Sequence, residues 1–285
     1  MKAHSKKVLI VANTLKDDAT GLCHTIDEIL RARGWLTTKF TFPGDPCGIP
    51  AFEGHDLILS LGGDGTLLYV ARMASPLGIP ILPINLGTLG FIAANRRESW
   101  ESILSSWDEG RLNPSERTML SLDVVKNGEI IGSFTALNDG VVSSQGIAKM
   151  IRISLSVNTE VLGNYRADGL IISTPTGSTA YNLAAGGPAL EPEMEAFIIN
   201  PICPFMLASR PLVVSSSCDV EVRVEETRRS GAILTVDGQE TRKLDPGDVV
   251  RVRRASNAAR LLVPRGKMFF HALRSKLGWS GDSDA

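Results

Sequence analysis

The sequence has few of the side chains from which proteins build disulfides or metal sites. Among its 285 residues there are four cysteines and four histidines, and no two cysteines form a CxxC pair. The cysteines are Cys23, Cys47, Cys203 and Cys218, and the histidines are His4, His24, His55 and His271. Widely separated cysteines are typical of reduced thiols in a cytosol. We therefore expect a cytoplasmic protein without a metal site built from its side chains alone.

Long apolar runs are also lacking, which argues against a membrane partner. The longest candidate, residues 197–208, is interrupted by Pro201 and Pro204, and it falls short of the ~18 residues that a spanning helix needs. The apolar run near the amino terminus, residues 8–12, is too short for the core of a secretion signal. We predict a soluble protein with neither an anchor nor a signal peptide.

The chain carries no strong excess of charge. Its formal net charge is −1, so no overall field attracts nucleic acid or an anionic membrane surface. Two basic groups, Arg228-Arg229 and residues 251–254, have acidic neighbours and no aromatic residues between them. Surfaces that bind single-stranded nucleic acid combine basic residues with stacking aromatics. No nucleic-acid partner is expected.

Hydrophobic patterning divides the chain into two regions. In the first, apolar strands alternate with amphipathic helices, the pattern of an open α/β sheet. In the second, alternating β-branched runs are separated by turn sequences such as Asn127-Gly128. We predict an N-terminal α/β domain (residues 1–115 with 264–285) and a C-terminal β-rich domain (residues 116–263), and we expect the C-terminal helix to return to the first domain.

The periodicity of apolar residues also predicts the individual elements. In the first region the predicted strands are residues 6–13, 35–42, 57–61 and 78–84, and the predicted helices are residues 20–33, 67–74 and 99–107. In the second region the predicted strands are residues 120–125, 130–137, 150–157, 170–173, 220–224, 232–236, 249–253 and 261–263. One helix is predicted there at residues 178–185, and a final helix at residues 266–277.

The most informative stretch of the first region is the first glycine turn, Gly62-Gly63-Asp64-Gly65-Thr66. Its glycines would permit positive φ angles and close approach to a ligand, and Thr66 would open a helix whose amides attract anions. A carboxylate beside a phosphate site is useful if it holds a cation or accepts a proton from an attacking hydroxyl. The alternative is a plain tight turn with an aspartate near the helix cap. Three glycines in four positions favour the functional interpretation.

The hydroxyl-rich turn, Ser173 to Thr179, is the most unusual stretch of the second region. Five of its seven residues carry hydroxyl groups, and a short apolar strand precedes it. These hydroxyls could serve a ribose, an amide or a phosphate, and Tyr181 offers a ring for a base to stack on. Arg166 and Asp168 stand just before the strand, where they could contact a polar ligand or each other. A capped helix alone would explain one hydroxyl, not five.

Together these motifs resemble the NAD kinases, which phosphorylate the adenosine ribose 2′-hydroxyl of NAD to form NADP. The resemblance spans nearly the whole chain. It rests on the first glycine turn, the second glycine turn (Asn85-Leu86-Gly87-Thr88-Leu89-Gly90-Phe91), the pair Asn138-Asp139, and the run from Asp168 to Pro188. The first glycine turn alone is similar to that of diacylglycerol and sphingosine kinases and phosphofructokinases, whereas the run from Thr174 to Tyr181 is specific. The family usually has Asn-Glu where this chain has Asn138-Asp139.

The resemblance implies roles for particular residues. It identifies Asp64 as the proton acceptor, and the first glycine turn (Gly62, Gly63, Gly65 and Thr66) as the cradle of the ATP phosphates. It implies that NAD contacts Asp64, Gly65, Asn138, Asp139, Lys149, Arg166, Asp168, Thr179, Ala180, Tyr181, Asn182, Leu183, Ala184 and Gln239. Asn138 and Asp139 would meet the adenosine and its ribose hydroxyls. Residues 179–184 would line the nicotinamide and ribose side, and Gln239 would close the pocket.

The resemblance also implies the partners. ATP with Mg²⁺ or another divalent metal would be the phosphoryl donor, although some members accept inorganic polyphosphate. Because family members are usually dimers or tetramers, we expect a homodimer or homotetramer. Two alternatives remain open. One is a lipid kinase of the diacylglycerol or sphingosine type, which predicts an apolar acyl pocket. The other is a sensor that binds NAD without forming NADP.

Overall fold

The chain forms two compact units. The computed structural model describes residues 5–16, 18–46, 50–87, 90–92, 95–146, 149–206, 208–225, 231–264 and 267–278. One unit comprises Met1–Glu116 with Ala259–Ala285, and the other comprises Arg117–Ala258. Within the described residues, no helix has both the length and the apolar character needed to cross a bilayer.

The strands and helices are numbered in chain order. The strands are β1 (Lys7–Asn13), β2 (Leu36–Phe42), β3 (Leu57–Gly62), β4 (Ile81–Asn85), β5 (Ser115–Arg117), β6 (Leu120–Lys126), β7 (Glu129–Ala136), β8 (Asp139–Ser144), β9 (Ile151–Val157), β10 (Glu160–Ala167), β11 (Gly169–Ser173), β12 (Ala196–Ile202), β13 (Leu212–Ser215), β14 (Val220–Val224), β15 (Ala232–Val236), β16 (Glu240–Leu244), β17 (Val249–Arg254) and β18 (Ala259–Leu261). The helices are α1 (Ala19–Ala32), α2 (Asp64–Ala74), α3 (Trp100–Asp108), α4 (Tyr181–Ala184) and α5 (Lys267–Leu277).

The first unit is built on a six-stranded sheet in the order β2-β1-β3-β4-β18-β5. β1 pairs in parallel with β2 and β3, and β3 pairs in parallel with β4. Strand β3 is buried along its whole length, as expected for a parallel sheet with both faces covered. Ile26 and Leu30 of α1 pack with residues of β1 and β3 in one core cluster. The predicted open α/β sheet is confirmed.

The C-terminal helix belongs to this same unit, as predicted. The ammonium group of Lys276 in α5 lies 4.7 Å from the centre of the Phe91 ring. A cation over an aromatic face is attracted by the negative potential of the ring. This contact therefore links α5 to the end of the second glycine turn.

The second unit contains two antiparallel sheets of six strands each. Their orders are β10-β9-β14-β17-β6-β7 and β13-β12-β11-β8-β15-β16. Apolar residues of both sheets, among them Leu122, Val222, Leu170 and Leu234, form one buried cluster. Strand β8 lies between β11 and β15. The chain that follows Asn138 is therefore held at both edges, and the predicted β-rich second region is confirmed.

The structure differs from the sequence prediction at two helices near the motifs. Helix α2 begins at Asp64 and not at Thr66, so the aspartate lies in the first helical turn. The single helix predicted at residues 178–185 is wrong, because a 3₁₀ turn (Gly177–Thr179) is followed by the separate helix α4. Ala180 separates them, with φ −94° and ψ −129°, which is not a helical conformation.

Several strands were not predicted, namely β5, β8, β10, β12, β13 and β16. Strands β13 and β16 are largely exposed, so their sequences lack the apolar alternation that marks a half-buried strand. Strand β12 is almost entirely buried and contains Pro201, a residue that is rare in the interior of sheets and that masked the strand in the sequence.

Candidate active site

The first glycine turn joins β3 to α2. Gly62 is the last residue of β3, Gly63 is the N-cap, and Asp64 is the first helical residue. The amides of a first helical turn carry partial positive charge. Asp64 is half-buried and Gly65 is exposed, so this end of α2 can be reached from solvent.

The glycines of the two turns provide space and not unusual backbone angles. None of Gly62, Gly63 and Gly65 has a positive φ, so the positive φ angles expected in the first glycine turn are wrong. A Cβ atom added at Gly62 would lie 2.7 Å from the Cβ of Thr66. Carbon atoms cannot approach this closely without a shift. Gly62 is therefore required for the close packing of Thr66, which is buried.

The second glycine turn meets the carboxylate of Asp64. A Cβ added at Gly90 would lie 2.7 Å from Cγ of Asp64 and 2.9 Å from its Oδ2. The Phe91 N–H donates a hydrogen bond of 3.3 Å to the same Oδ2. Both glycine turns thus converge on one carboxylate, although Thr88 and Leu89 of the second turn lie outside the described residues. The Gly90–Phe91 backbone fixes where the carboxylate lies.

A cavity of about 330 Å³ opens within the second unit. It is lined by Asn138, Asp139, Val141, Ser143, Ala180, Tyr181, Thr235, Asp237 and Gly238. Four of these are residues that the sequence predicted for NAD, namely Asn138, Asp139, Ala180 and Tyr181. The Tyr181 side chain is 48% exposed, so its ring is accessible to a ligand. The cavity combines a ring, a carboxamide and two carboxyl groups in one place.

The hydroxyl-rich turn supports the backbone of Asn138. The Thr174 hydroxyl donates to the Leu137 carbonyl (2.6 Å), and the Thr174 N–H donates to the Asn138 carbonyl (2.8 Å). The Ser173 hydroxyl also reaches the Asn138 carbonyl, at 3.2 Å. A Cβ at Gly177 would lie 2.6 Å from the Asn138 Cα. The turn therefore packs tightly against the Leu137–Asn138 backbone.

This arrangement corrects the interpretation of the hydroxyl groups. The hydroxyls of Ser173, Thr174 and Ser178 are buried and bind backbone carbonyls of the protein itself. Ser178 also accepts the Leu190 N–H at 2.9 Å. Most of the hydroxyls thus stabilise the turn and do not face a ligand. Thr179 is half-buried and remains accessible.

Asp237 holds the same segment from the other side. Its carboxylate accepts hydrogen bonds from the backbone N–H groups of Leu137 (3.0 Å), Asn138 (2.8 Å) and Asp139 (3.2 Å). Asp237 was missed as a site residue, as were Val141, Ser143, Thr235 and Gly238. The available signal was an aspartate before a glycine, next to the predicted ligand Gln239.

Asp139 differs from an ordinary carboxyl group. Its side chain is 5% exposed. Burial, together with the negative charge of Asp237, raises the pKa of Asp139 from its ordinary 3.8 to about 7. The Asn138 side chain is buried as well, and its Oδ1 has no hydrogen-bond partner in the protein. A buried acceptor without a partner is uncommon, and Asn138 is one of the residues that line the cavity.

The other predicted residues lie outside the cavity lining. Arg166 ends near Phe205, with its guanidinium carbon 5.1 Å from the ring centre. Asp168, Lys149, Ala184 and Gln239 are exposed, and Leu183 is half-buried.

Asn182 is fully buried, and its side chain is engaged within the protein. Its Nδ2 donates to the carbonyls of Ser178 and Pro188, both at 3.0 Å. Its Oδ1 accepts a hydrogen bond from Asn200 at 3.1 Å. Asn182 belongs to α4, and these contacts give its side chain a structural role.

Comparison with known proteins shows to which family the chain belongs. Residues 137–263 match the family model described as the ATP-NAD kinase C-terminal domain, and residues 49–111 match the ATP-NAD kinase N-terminal domain. An NAD kinase of Treponema denticola is 42% identical over 278 residues, which is 98% of each chain. The chain belongs to the NAD kinase family. An NAD kinase of Syntrophotalea carbinolica is 44% identical over 224 residues, covering 79% of this chain and 78% of the relative.

Solved structures of the NAD kinase family share the fold. The NAD kinase from Archaeoglobus fulgidus, in complex with ATP, matches with a TM-score of 0.75 and 29% identity over 96% of this chain and 97% of that one. Yeast NADH kinase, complexed with NADH, has a TM-score of 0.81 over 99% of this chain and 90% of that one; at 22% identity it supports the fold alone. The resemblance and the enzyme class predicted from the sequence are confirmed, and the lipid kinase alternative is set aside.

The raised pKa of Asp139 predicts how stability depends on pH. Between about pH 4 and pH 7 the folded protein keeps a proton that the unfolded chain has released, so stability without ligand falls as pH rises through this window. We expect Asp139→Asn to remove this fall. At pH 8 the free energy of unfolding of the variant should exceed that of wild type by at most ~4 kcal/mol. Denaturant unfolding at about pH 4 and pH 8 measures both proteins. An identical pH dependence in the two would contradict a buried, protonated Asp139.

Proposed function

We propose that this chain transfers the γ-phosphate of ATP to the 2′-hydroxyl of the adenosine ribose of NAD and so forms NADP. The observation that carries this proposal is the Asp64 carboxylate, which is fixed by Gly90 and Phe91 at the start of α2. Inorganic polyphosphate is proposed as an alternative phosphoryl donor, on the resemblance alone.

Asp64 is assigned as the proton acceptor of the reaction. A general base must be held within hydrogen-bond reach of the hydroxyl that it deprotonates. The Phe91 N–H and the absence of a side chain at Gly90 support a single position for the carboxylate. Phosphoryl transfer asks little else of a protein beyond positioning and charge neutralisation.

The amides at the start of α2 are assigned to the phosphates of the donor. The cradle consists of Gly62, Gly63, Gly65 and Thr66, as the family resemblance implies. The N-terminus of a helix favours anions because its amides point outward and its dipole is positive there. Gly63 and Gly65 leave this backbone uncovered, and a Cβ at Gly63 would meet no atom within 4 Å. A phosphate could approach this backbone closely.

A divalent metal, Mg²⁺ or a similar ion, is proposed to enter with ATP. Among the residues that the structure describes, no three His, Cys, Asp or Glu side chains come together as a metal site. Mg²⁺ is usually held by substrate phosphates with one or two carboxylates. When bound, the ion would neutralise charge that develops between the β- and γ-phosphates.

The cavity of the second unit is assigned to the adenosine part of NAD. Asn138 and Asp139, which both line the cavity, would contact the nucleotide. The ring of Tyr181 would stack on a base or a ribose edge. Lys149, Arg166, Asp168 and Gln239, with residues 179–184, are assigned further contacts on the family resemblance. For Asn182 we propose that the backbone, and not the buried side chain, faces the ligand.

The cellular setting and assembly are also proposals. We propose that the enzyme is cytoplasmic and forms a homodimer or homotetramer, as its family resemblance implies. The widely separated cysteines support a reducing compartment.

The proposed activity predicts NADP formation by the purified chain. Incubation with ATP, Mg²⁺ and NAD should yield NADP, which an NADP-specific dehydrogenase detects in a coupled assay. One parallel reaction contains NADH in place of NAD, and another contains polyphosphate in place of ATP. They show which phosphoryl acceptors and donors the chain uses. NAD binding without any NADP would contradict the proposal and support a dinucleotide sensor.

Loss of the Asp64 carboxylate should affect turnover far more than binding. We expect Asp64→Asn to lower kcat by at least ~10²-fold, because general-base catalysis contributes about this much. The Kd for NAD, measured by calorimetry, should change little. Asp45→Asn, which alters an exposed aspartate of the same unit, serves as the control. A near wild-type kcat for Asp64→Asn would show that Asp64 is not the base.

The close contact at Gly90 predicts a second catalytic defect. Gly90→Ala should displace the Asp64 carboxylate and lower kcat by about 10-fold or more, since small misplacements of catalytic groups are costly. Gly87→Ala is the matched control, because a Cβ there meets no atom within 4 Å. Steady-state kinetics of both variants measure the effect. Equal kcat values for the two variants would contradict a positioning role of Gly90.

A further inference from the structure

Asp237 occupies a conformation that few side chains adopt without a reason. Its φ angle is 51°, in the left-handed region, and its side chain is 6% exposed. Aspartate tolerates this region better than most residues, but a glycine would be less strained. An ionised carboxylate at such a buried turn is costly unless it is well hydrogen-bonded. The surroundings of Asp237 meet this condition.

Three consecutive amides bind the Asp237 carboxylate. They belong to Leu137, Asn138 and Asp139, at 3.0, 2.8 and 3.2 Å. The Asp237 N–H in turn donates to the Asp139 carbonyl at 2.9 Å. Residues about one hundred positions apart are thus joined by four hydrogen bonds. The segment that presents Asn138 and Asp139 to the cavity cannot rotate without breaking this set.

The same carboxylate controls the charge of its neighbour. Asp139 and Asp237 both line the cavity, and the other titratable side chain in that lining is Tyr181. On β11, Ser173 is paired with Asp139. On β15, Val236 is paired with Gly140. Neither of these two partners carries a charge. Three amides stabilise the ionised form of Asp237, whereas burial disfavours a second charge nearby. Burial and the negative charge of Asp237 both raise the pKa of Asp139, so both favour its protonated form.

We propose that Asp237 is a positioning residue for nucleotide binding, which orients Asn138 and Asp139 and favours the protonated form of Asp139. This inference rests on the proposed function and assigns a new role within it. A protonated Asp139 can donate a hydrogen bond to a ribose oxygen or a ring nitrogen of NAD, which an ionised carboxylate cannot do. NAD binding then weakens as pH rises and Asp139 loses its proton.

Two substitutions at Asp237 separate geometry from charge. Asp237→Gly keeps the left-handed backbone and removes the carboxylate. Asp237→Asn keeps an oxygen acceptor and tolerates the same φ, but removes the negative charge. Asn127→Gly is the matched control, because Asn127 has a φ of 52° and lies in the turn between β6 and β7. All three are compared with wild type for NADP formation and for NAD binding by calorimetry.

The loss of geometry should appear in KM and not in kcat. We expect Asp237→Gly to raise the KM for NAD by at least ~10-fold while kcat at saturation and the KM for ATP stay within about 3-fold. Asp237→Asn should recover part of this loss near pH 6, since its Oδ1 can still accept the Asn138 and Asp139 amides, whereas its NH2 group cannot accept that of Leu137. Asn127→Gly should match wild type. An unchanged KM for NAD in Asp237→Gly would overturn the positioning role.

The loss of charge should appear in the pH profile. In wild type, kcat/KM for NAD should fall as pH rises through about 7, because this parameter reports ionisations of the free enzyme. In Asp237→Asn the midpoint should move to lower pH, since Asp139 then lacks the neighbouring charge. A midpoint identical to that of wild type would overturn the proton assignment.

The design distinguishes this inference from the proposed function. If wild type binds NAD but forms no NADP, the kinase proposal fails while Kd values across the variants still test Asp237. If Asp237→Gly does not fold, Asp237→Asn carries the test through its pH profile. A third outcome is that wild type forms NADP and both Asp237 variants keep the wild-type NAD affinity and pH profile. In that case the kinase proposal stands and only the inference about Asp237 is overturned.

Discussion

A buried carboxylate bound by three consecutive amides is the interaction on which the cavity of the second unit depends. Burial of a charge is tolerated only where dipoles replace the lost water. Because the amides that stabilise Asp237 belong to residues 137–139, the same bonds fix the chain that carries Asn138 and Asp139. On its other side this chain rests on Ser173, Thr174 and Gly177. The segment is therefore held from two directions, and it contributes Asn138 and Asp139 to the lining of the cavity.

In the first unit, packing and one backbone hydrogen bond hold the Asp64 carboxylate in place. Asp64 lies against Gly90 at a distance that admits no additional carbon atom, and the Phe91 N–H binds it. Lys276 of the C-terminal helix covers the Phe91 ring. In both units the glycine-rich or hydroxyl-rich segments thus mainly pack against, or form hydrogen bonds with, other parts of the same unit. They place one or two acidic side chains accurately, as phosphoryl transfer and nucleotide binding require.

Much of this organisation could be predicted from the sequence because it rests on local patterns. Strands β14 and β15 were predicted at their observed bounds, since their residues alternate between buried and less buried positions. The role of Asp237 could not be predicted, because its partners lie about one hundred residues away and the chain shows only an Asp-Gly turn. The break at Ala180 depends likewise on packing around α4. The hydroxyl groups were misread because a sequence does not distinguish hydroxyls that bind carbonyls from those that face a cavity.

The protonation state of Asp139 tests this account most directly. Carbon-13 NMR of the carboxyl groups of aspartate-labelled protein follows each side chain through a pH titration, and Asp139→Asn identifies the signal by its loss. The account predicts that Asp139 of the ligand-free protein titrates at about pH 7 and moves to lower pH in Asp237→Asn. Titration near pH 4 in wild type, as for an exposed aspartate, would contradict it.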